Sequence, residues 1–290
     1  MMWSMSPCME NELIMSVLTG LLVLVGLAQV MMLINQKRQN QLALLQEYRN
    51  RWLEYRENWA IIVFIGRSEE EYYQVADESL LGLLTEMVGN TSSSAPTVWA
   101  LESVNHVCST LSDVCIKILQ GQLTIEDVYP LFGSDLLRHS RPFRSILDVY
   151  FDMYATGYTS EDIIRSTKHL RIRHELQDWL IYHDGVRRRC LILIDLLWAE
   201  ATRLEDLSPN DIECAAEAKV YTGKKSRARL IREIRKINNL PSPFKIAKFT
   251  FFLKNSEFRK YGLPIGVDKS KLKVKDDEWT DMLLRRQKKP

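Results

Sequence analysis

Glycine and proline are scarce in this chain, twelve and nine among 290 residues. That is too little turn chemistry for an all-β sandwich or barrel. Alternating apolar and polar positions are almost missing before the C-terminal part, and no segment repeats another. Cysteine is scarcer still. Cys8, Cys108, Cys115, Cys190 and Cys214 are an odd number with no CxxC pair. A disulfide framework does not fit that pattern, and the four beyond residue 100 fall on helical faces, as free thiols in a reducing compartment would. Strong catalytic signatures are absent too: no Walker A sequence, no GxGxxG opening a helix, no GxSxG and no Cys–His arrangement. No cofactor or metal is therefore expected.

Charge is missing altogether from residues 13–34, where Gln29 is the one strongly polar side chain. As a helix this stretch rises about 33 Å, against a bilayer hydrocarbon core of about 30 Å. We read it as a membrane span. The residues before it carry Glu10 and Glu12 and no Lys or Arg, which rules out the basic start of a cleaved signal peptide. The residues after it carry Lys37, Arg38, Arg49, Arg51 and Arg56. The positive-inside rule then sets a signal-anchor with the N-terminus outside and the main domain in the cytoplasm, on the inner (plasma) membrane. Ser16 and Gly20 make a small-xxx-small pair in the span, a candidate packing face for a second copy.

The remainder has the composition of a globular domain, 46% hydrophobic and 26% charged. Its near-neutral net charge of +2 conceals two opposed halves. Counted from the sequence, residues 221–290 carry a net +13, leaving −11 for residues 1–220. We divide the chain into a short external N-terminus (1–12), the span (13–34), a juxtamembrane helix (35–66), an acidic helical cytoplasmic domain (67–220) and a basic C-terminal region (221–290).

Helical period dominates. Leu44, Leu45, Tyr48, Trp52, Tyr55 and Trp59 recur at i, i+3, i+4 spacing and predict one helix leaving the membrane, its aromatic stripe packed on the domain or on a sister helix. The apolar run 61–65 reads as its buried end. Four hydroxyl-x-x-acid patterns, beginning at Ser68, Thr124, Thr159 and Ser208, predict capped helix starts near 69, 125, 161 and 209. Residues 99–119 form an amphipathic helix stopped by Gly121. Phe132-Gly133 reads as a turn, and Pro142 as a further break. Residues 190–199 are too short to span a bilayer and contain Asp195, so they read as the central core helix. Residues 245–254 fit a strand or an interfacial helix. The fold class is all-α: a transmembrane helix, a juxtamembrane helix and a cytoplasmic helical bundle, with a small β element near the C-terminus as the one exception considered.

The block 104–137 contains a helix, then Gly121-Gln-Leu-Thr-Ile-Glu-Asp-Val128, Leu131-Phe-Gly133 and Leu136-Leu137. It resembles a group of uncharacterised bacterial membrane proteins with one N-terminal span and a helical cytoplasmic domain. The resemblance implies that architecture and a bacterial inner membrane. It transfers no activity.

Two sets of residues are candidates for function. His174, Asp178 and His183 are the only cluster of catalytic residue types, with His169, Glu175 and Asp184 close by in sequence. His174 and Asp178 share a helix face at i, i+4 and echo a zincin pattern in which Asp replaces the second His. Trp179, Leu180 and Ile181 argue for plain packing instead. The spacing from Arg165 to His169 is one residue short of the Arg-x4-6-His pattern of a helical ribonuclease. The second set is basic: Lys224, Lys225, Arg227, Arg229, Arg232, Arg235 and Lys236 on one helix, followed by Lys245 and Lys248 among phenylalanines. Three readings compete there, namely anionic lipid, nucleic acid, or a solvated face over a phenylalanine core. The leading function is a membrane-tethered module that binds or scaffolds a protein partner, or itself, at the inner membrane, in signalling, stress or phage defence. The alternative is a nucleic-acid or phosphoester hydrolase using the His/Asp cluster with the basic region as its groove.

Overall fold

The computed structural model describes residues 7–67, 76–91, 97–148, 167–204, 208, 225–238, 243–253, 274, 277, 278 and 280. Among them there are helices and no strands. The chain falls into two compact units, residues 1–47 and 48–290.

The first unit is one helical stretch. Helix α1 (Pro7–Glu54) contains the uncharged run and is long and apolar enough to cross a membrane. Its apolar side chains are uncovered: Leu22 is 71% exposed and Met32 69%. A soluble core helix of this composition would bury such a stripe.

The second unit begins with the last residues of α1. At Tyr55 the helix breaks, and α2 (Arg56–Gly66) follows. The single helix expected over 40–59 is thus two. The break lets the aromatic residues meet different neighbours. Trp52 packs edge-on to Phe132 at 5.2 Å, Tyr55 meets His106 at 5.4 Å, and Trp59 packs edge-on to Phe143 at 5.2 Å. The stripe is packed within the unit, and the apolar run 61–65 is the buried end of α2.

Helix α3 (Glu78–Asn90) starts at Asp77, whose carboxylate accepts from the Leu80 amide at 2.8 Å. Such a cap satisfies one of the amides that a helix start leaves unpaired. Helix α4 (Val98–Gln120) ends at Gly121, where φ is +82°, a conformation that only glycine adopts cheaply. Helix α5 (Ile125–Arg138) starts at the expected cap: the Thr124 hydroxyl accepts from the Asp127 amide at 3.2 Å and donates to its carboxylate at 2.8 Å. The capping patterns at Ser68 and Thr159, and the start expected near 209, lie outside the described residues.

Phe132-Gly133 is not a turn. It lies inside α5, and its glycine serves close packing, since a Cβ there would stand 2.4 Å from the Tyr129 ring. The chain breaks instead at His139, and α6 (Ser140–Leu147) takes Pro142 into its first turn, where a missing amide costs least.

Helices α7 (Thr167–Tyr182) and α8 (Asp184–Leu204) complete the centre. Residues 190–199 of α8 are buried throughout, packed chiefly on α4 and α5. Each fully buried Leu or Ile there contributes about 1.5–3 kcal/mol. Two further helices among the described residues are α9 (residues 225–237) and α10 (Pro243–Phe252). The segment that fitted either a strand or a helix is therefore helical through Phe252, since α10 begins two residues before Lys245 and has no neighbouring strand among the described residues.

Short helix α6 is where several elements meet. The Gly66 carbonyl at the end of α2 accepts from Arg173 of α7 at 2.6 Å and lies 2.8 Å from the Ser145 hydroxyl. Gln177 donates to the Ser145 carbonyl at 3.0 Å. Two donors thus occupy a carbonyl that a helix end leaves open. The backbones of α2 and α6 touch here. A Cβ on Gly66 would sit 2.1 Å from the Pro142 carbonyl oxygen.

Candidate functional site

The basic candidates are sorted by α9 into two groups facing opposite ways. Ser226, Leu230, Glu233 and Ile234 are buried, so this side of the helix packs inward. Glu233 is the only acid between residues 225 and 237. It is 1% exposed, accepting from Arg188 at 2.7 Å and standing 3.5 Å from Arg189. Arg189 also donates to Ser112 of α4 at 2.6 Å. One turn earlier, Arg229 points inward as well, 3.7 Å from Asp148 and 4.0 Å from Asp195. Burial pushes its pKa down, and the neighbouring carboxylates of Asp195 and Asp148 push the other way.

Arg229, one of the expected ligand-binding cations, is thus turned inward. It belongs to a buried charge group in which Asp195, 2% exposed, pairs with Arg144 of α6. Buried charges persist only with partners, and here two arginines face two carboxylates. Lys245, another of the expected set, is engaged within the protein. Its ammonium donates to the Gln120 carbonyl at 3.0 Å and to the Asn238 side chain at 2.9 Å, so it caps α4 and ties α10 to the end of α9. Lys224 lies outside the described residues.

Five of the expected cations stay on the outer face of α9: Lys225, Arg227, Arg232, Arg235 and Lys236, all exposed. Between them Ala228 and the half-buried Ile231 join Arg232, Arg235 and Lys236 in lining a shallow groove of about 520 Å³. Lys248 of α10 is exposed too. With Glu233 and Arg229 drawn inward, the outer face of α9 holds cations and no acid. Arg232, Arg235 and Lys236 stand at i, i+3 and i+4, where like charges repel unless an anion lies between them.

The His/Asp cluster is distributed differently. His174 and Asp178 are exposed on α7, while His183 closes that helix with its ring stacked 4.1 Å from Trp179 and its Nδ1 2.8 Å from the Trp179 carbonyl. Asp184 is engaged by Arg187 at 2.7 Å and by Arg188. Glu175 pairs with Arg171 at 3.0 Å and accepts from the Thr97 amide at 3.0 Å. His169 packs against Phe64 at 4.9 Å, and burial with Arg67 and Arg173 nearby lowers its pKa to about 4. These residues form no metal-holding group of three or more His, Cys, Asp or Glu, nor do any others among the described residues.

In the first unit Ser16 and Gly20 are exposed on α1, and a Cβ on Gly20 would meet nothing within 4 Å. Cys108, Cys115 and Cys190 are buried free thiols, with burial pushing the pKa of Cys115 and Cys190 upward.

The inward charge group is what the residue pattern did not flag. Its signals were present: one aspartate inside an apolar run, three consecutive arginines at 187–189 and a single acid among the α9 cations. The chain matches no known protein family, no curated protein and no solved structure. Fold and site define a class only: an all-α chain with one long apolar N-terminal helix and a basic helix face.

Proposed function

We propose that this chain is a single-pass membrane protein of the bacterial inner membrane, its N-terminus outside and its helical body in the cytoplasm. The body holds a protein partner, or further copies of the chain, at the membrane, in signalling, stress or phage defence. The observation that carries this reading is the uncharged run of α1, whose apolar side chains are exposed to a degree that water makes costly. The flanking charges support the orientation, with acids before the run and five Lys or Arg after it. Buried free thiols suit a reducing compartment. Assembly through the Ser16 and Gly20 face fits the open surface there. No observation favours the hydrolase reading, since the His183 ring stacks on Trp179 and the cluster forms no metal-holding group.

Thiol labelling of intact and opened cells tests the orientation. In a Cys214→Ser background, Cys8 is expected to react with a membrane-impermeant maleimide in intact spheroplasts. The buried Cys108, Cys115 and Cys190 stay unlabelled until denaturation. Labelling of Cys8 only after the cells are opened reverses the orientation and removes the cytoplasmic module.

A further inference from the structure

Resting on the membrane-anchored reading, we infer that the outer face of α9 docks onto the anionic phospholipid surface of the leaflet the body faces. The first ground is charge sorting. The helix sends its only acid, Glu233, into the protein against Arg188 and Arg189, and spends one arginine, Arg229, on Asp148 and Asp195. The described outer face of α9 then keeps exposed cations, among them Arg227, Arg232, Arg235 and Lys236, and no acid of the helix itself. A solvated face of a soluble helix more often mixes signs, because i, i+4 pairs of opposite charge stabilise it.

The second ground is the groove. Ala228 and Ile231 lie among Arg232, Arg235 and Lys236, so apolar and cationic groups share one surface. A lipid interface meets both demands at once, with phosphate oxygens for the guanidinium groups and the upper acyl region for Ile231. Nucleic acid meets only the first. The described outer face of α9 offers no aromatic ring for base stacking and no Asn or Gln for a base edge. The third ground is tethering. A body held to a bilayer by its own chain meets lipid at high effective concentration, so a modest intrinsic affinity suffices.

The test is hydrogen–deuterium exchange on the full chain in nanodiscs of phosphatidylcholine alone and of phosphatidylcholine with 30% phosphatidylglycerol. Amides of residues 225–237 are expected to exchange about tenfold more slowly in the anionic discs, an effect that about 0.5 M salt abolishes. The variant Arg232→Gln, Arg235→Gln, Lys236→Gln is expected to lose that difference while α4 exchanges as in the wild type, which shows that the fold is intact. Equal exchange in the two kinds of disc overturns the inference and leaves the anchor standing. Protection that appears only when a 30-nucleotide single strand is added to neutral discs assigns the face to nucleic acid and overturns it likewise. Should the chain fail to enter discs at all, the anchor reading falls. Flotation with anionic but not neutral vesicles then still supports the α9 face, and flotation with neither overturns it.

Discussion

Residues 15–34 of α1 and residues 190–199 of α8 are both strongly apolar stretches, and they stand in opposite surroundings. The α8 stretch is buried throughout, enclosed by its own unit. The α1 stretch is exposed along almost its whole length. Composition alone separates them poorly, and two further properties decide. The α8 run is ten residues long and includes Asp195, which the fold matches with Arg144 and brings near Arg229. The α1 run is twice that length and holds no charge that would need a partner. An apolar helix of ten residues that keeps a paired charge fits a protein core, and one that has none and is long enough to span is, on the proposed reading, solvated by lipid.

The strongest way to break the comparison is to put charge where α1 has none. Leu22→Arg with Val25→Arg is expected to cost about 5–7 kcal/mol of insertion free energy, at about 2.5–3.5 kcal/mol per arginine near the span centre. The protein should leave the membrane pellet in alkaline extraction. Unchanged membrane retention would equate α1 with a peripheral helix. The converse experiment removes the charge that α8 keeps. Asp195→Ala leaves Arg144 buried without its carboxylate and deprives Arg229 of one of two acids, a loss of about 3–5 kcal/mol. The denaturant midpoint of the detergent-solubilised chain reads it, and a change under about 1 kcal/mol would show that the pair is hydrated.

A smaller effect tests the packing that encloses the second unit. Gly66→Ala drives a methyl into the Pro142 backbone, so α2 and α6 must separate at a cost of about 1–3 kcal/mol. The same change at Gly82 of α3, where nothing lies within 4 Å, is expected not to lower thermal stability in detergent. The smallest effect concerns pH. The His169 pKa falls to about 4 in the folded chain from an ordinary value near 6.5. Protons therefore bind the unfolded chain more readily, and stability present above about pH 6.5 is lost as pH falls toward 4. His139, lowered by burial, adds in the same direction. Urea titrations at pH 7 and 5 should show the second unit weakening. His169→Gln should flatten that difference in part, and an unchanged pH slope would place His169 in water.

Much of the architecture was legible because it rests on local rules. Thr124 and Asp127 announced the start of α5, and Gly121 the end of α4, through backbone chemistry that depends on few neighbours. The α3 start was not seen, because Asp77 caps it without the acid three residues later that completes the pattern. Gly133 misled for a related reason: glycine marks both turns and close approaches, and the Tyr129 ring decides which. The site was legible only in part. Period and charge located the basic helix, yet which cations face outward depends on Asp148, Asp195, Arg188 and the α4 terminus, all distant in sequence. The inward place of Arg229 and the bonds of Lys245 were not legible for that reason.

The central claim, that α1 is lodged in a bilayer while the α8 run is lodged in protein, has one direct measurement. The full chain is expressed, membranes are washed at alkaline pH, floated, and the recovered protein is weighed intact by mass spectrometry. The account predicts that the protein floats and retains its first 34 residues. A soluble protein, or a chain that has lost those residues to cleavage, would contradict it.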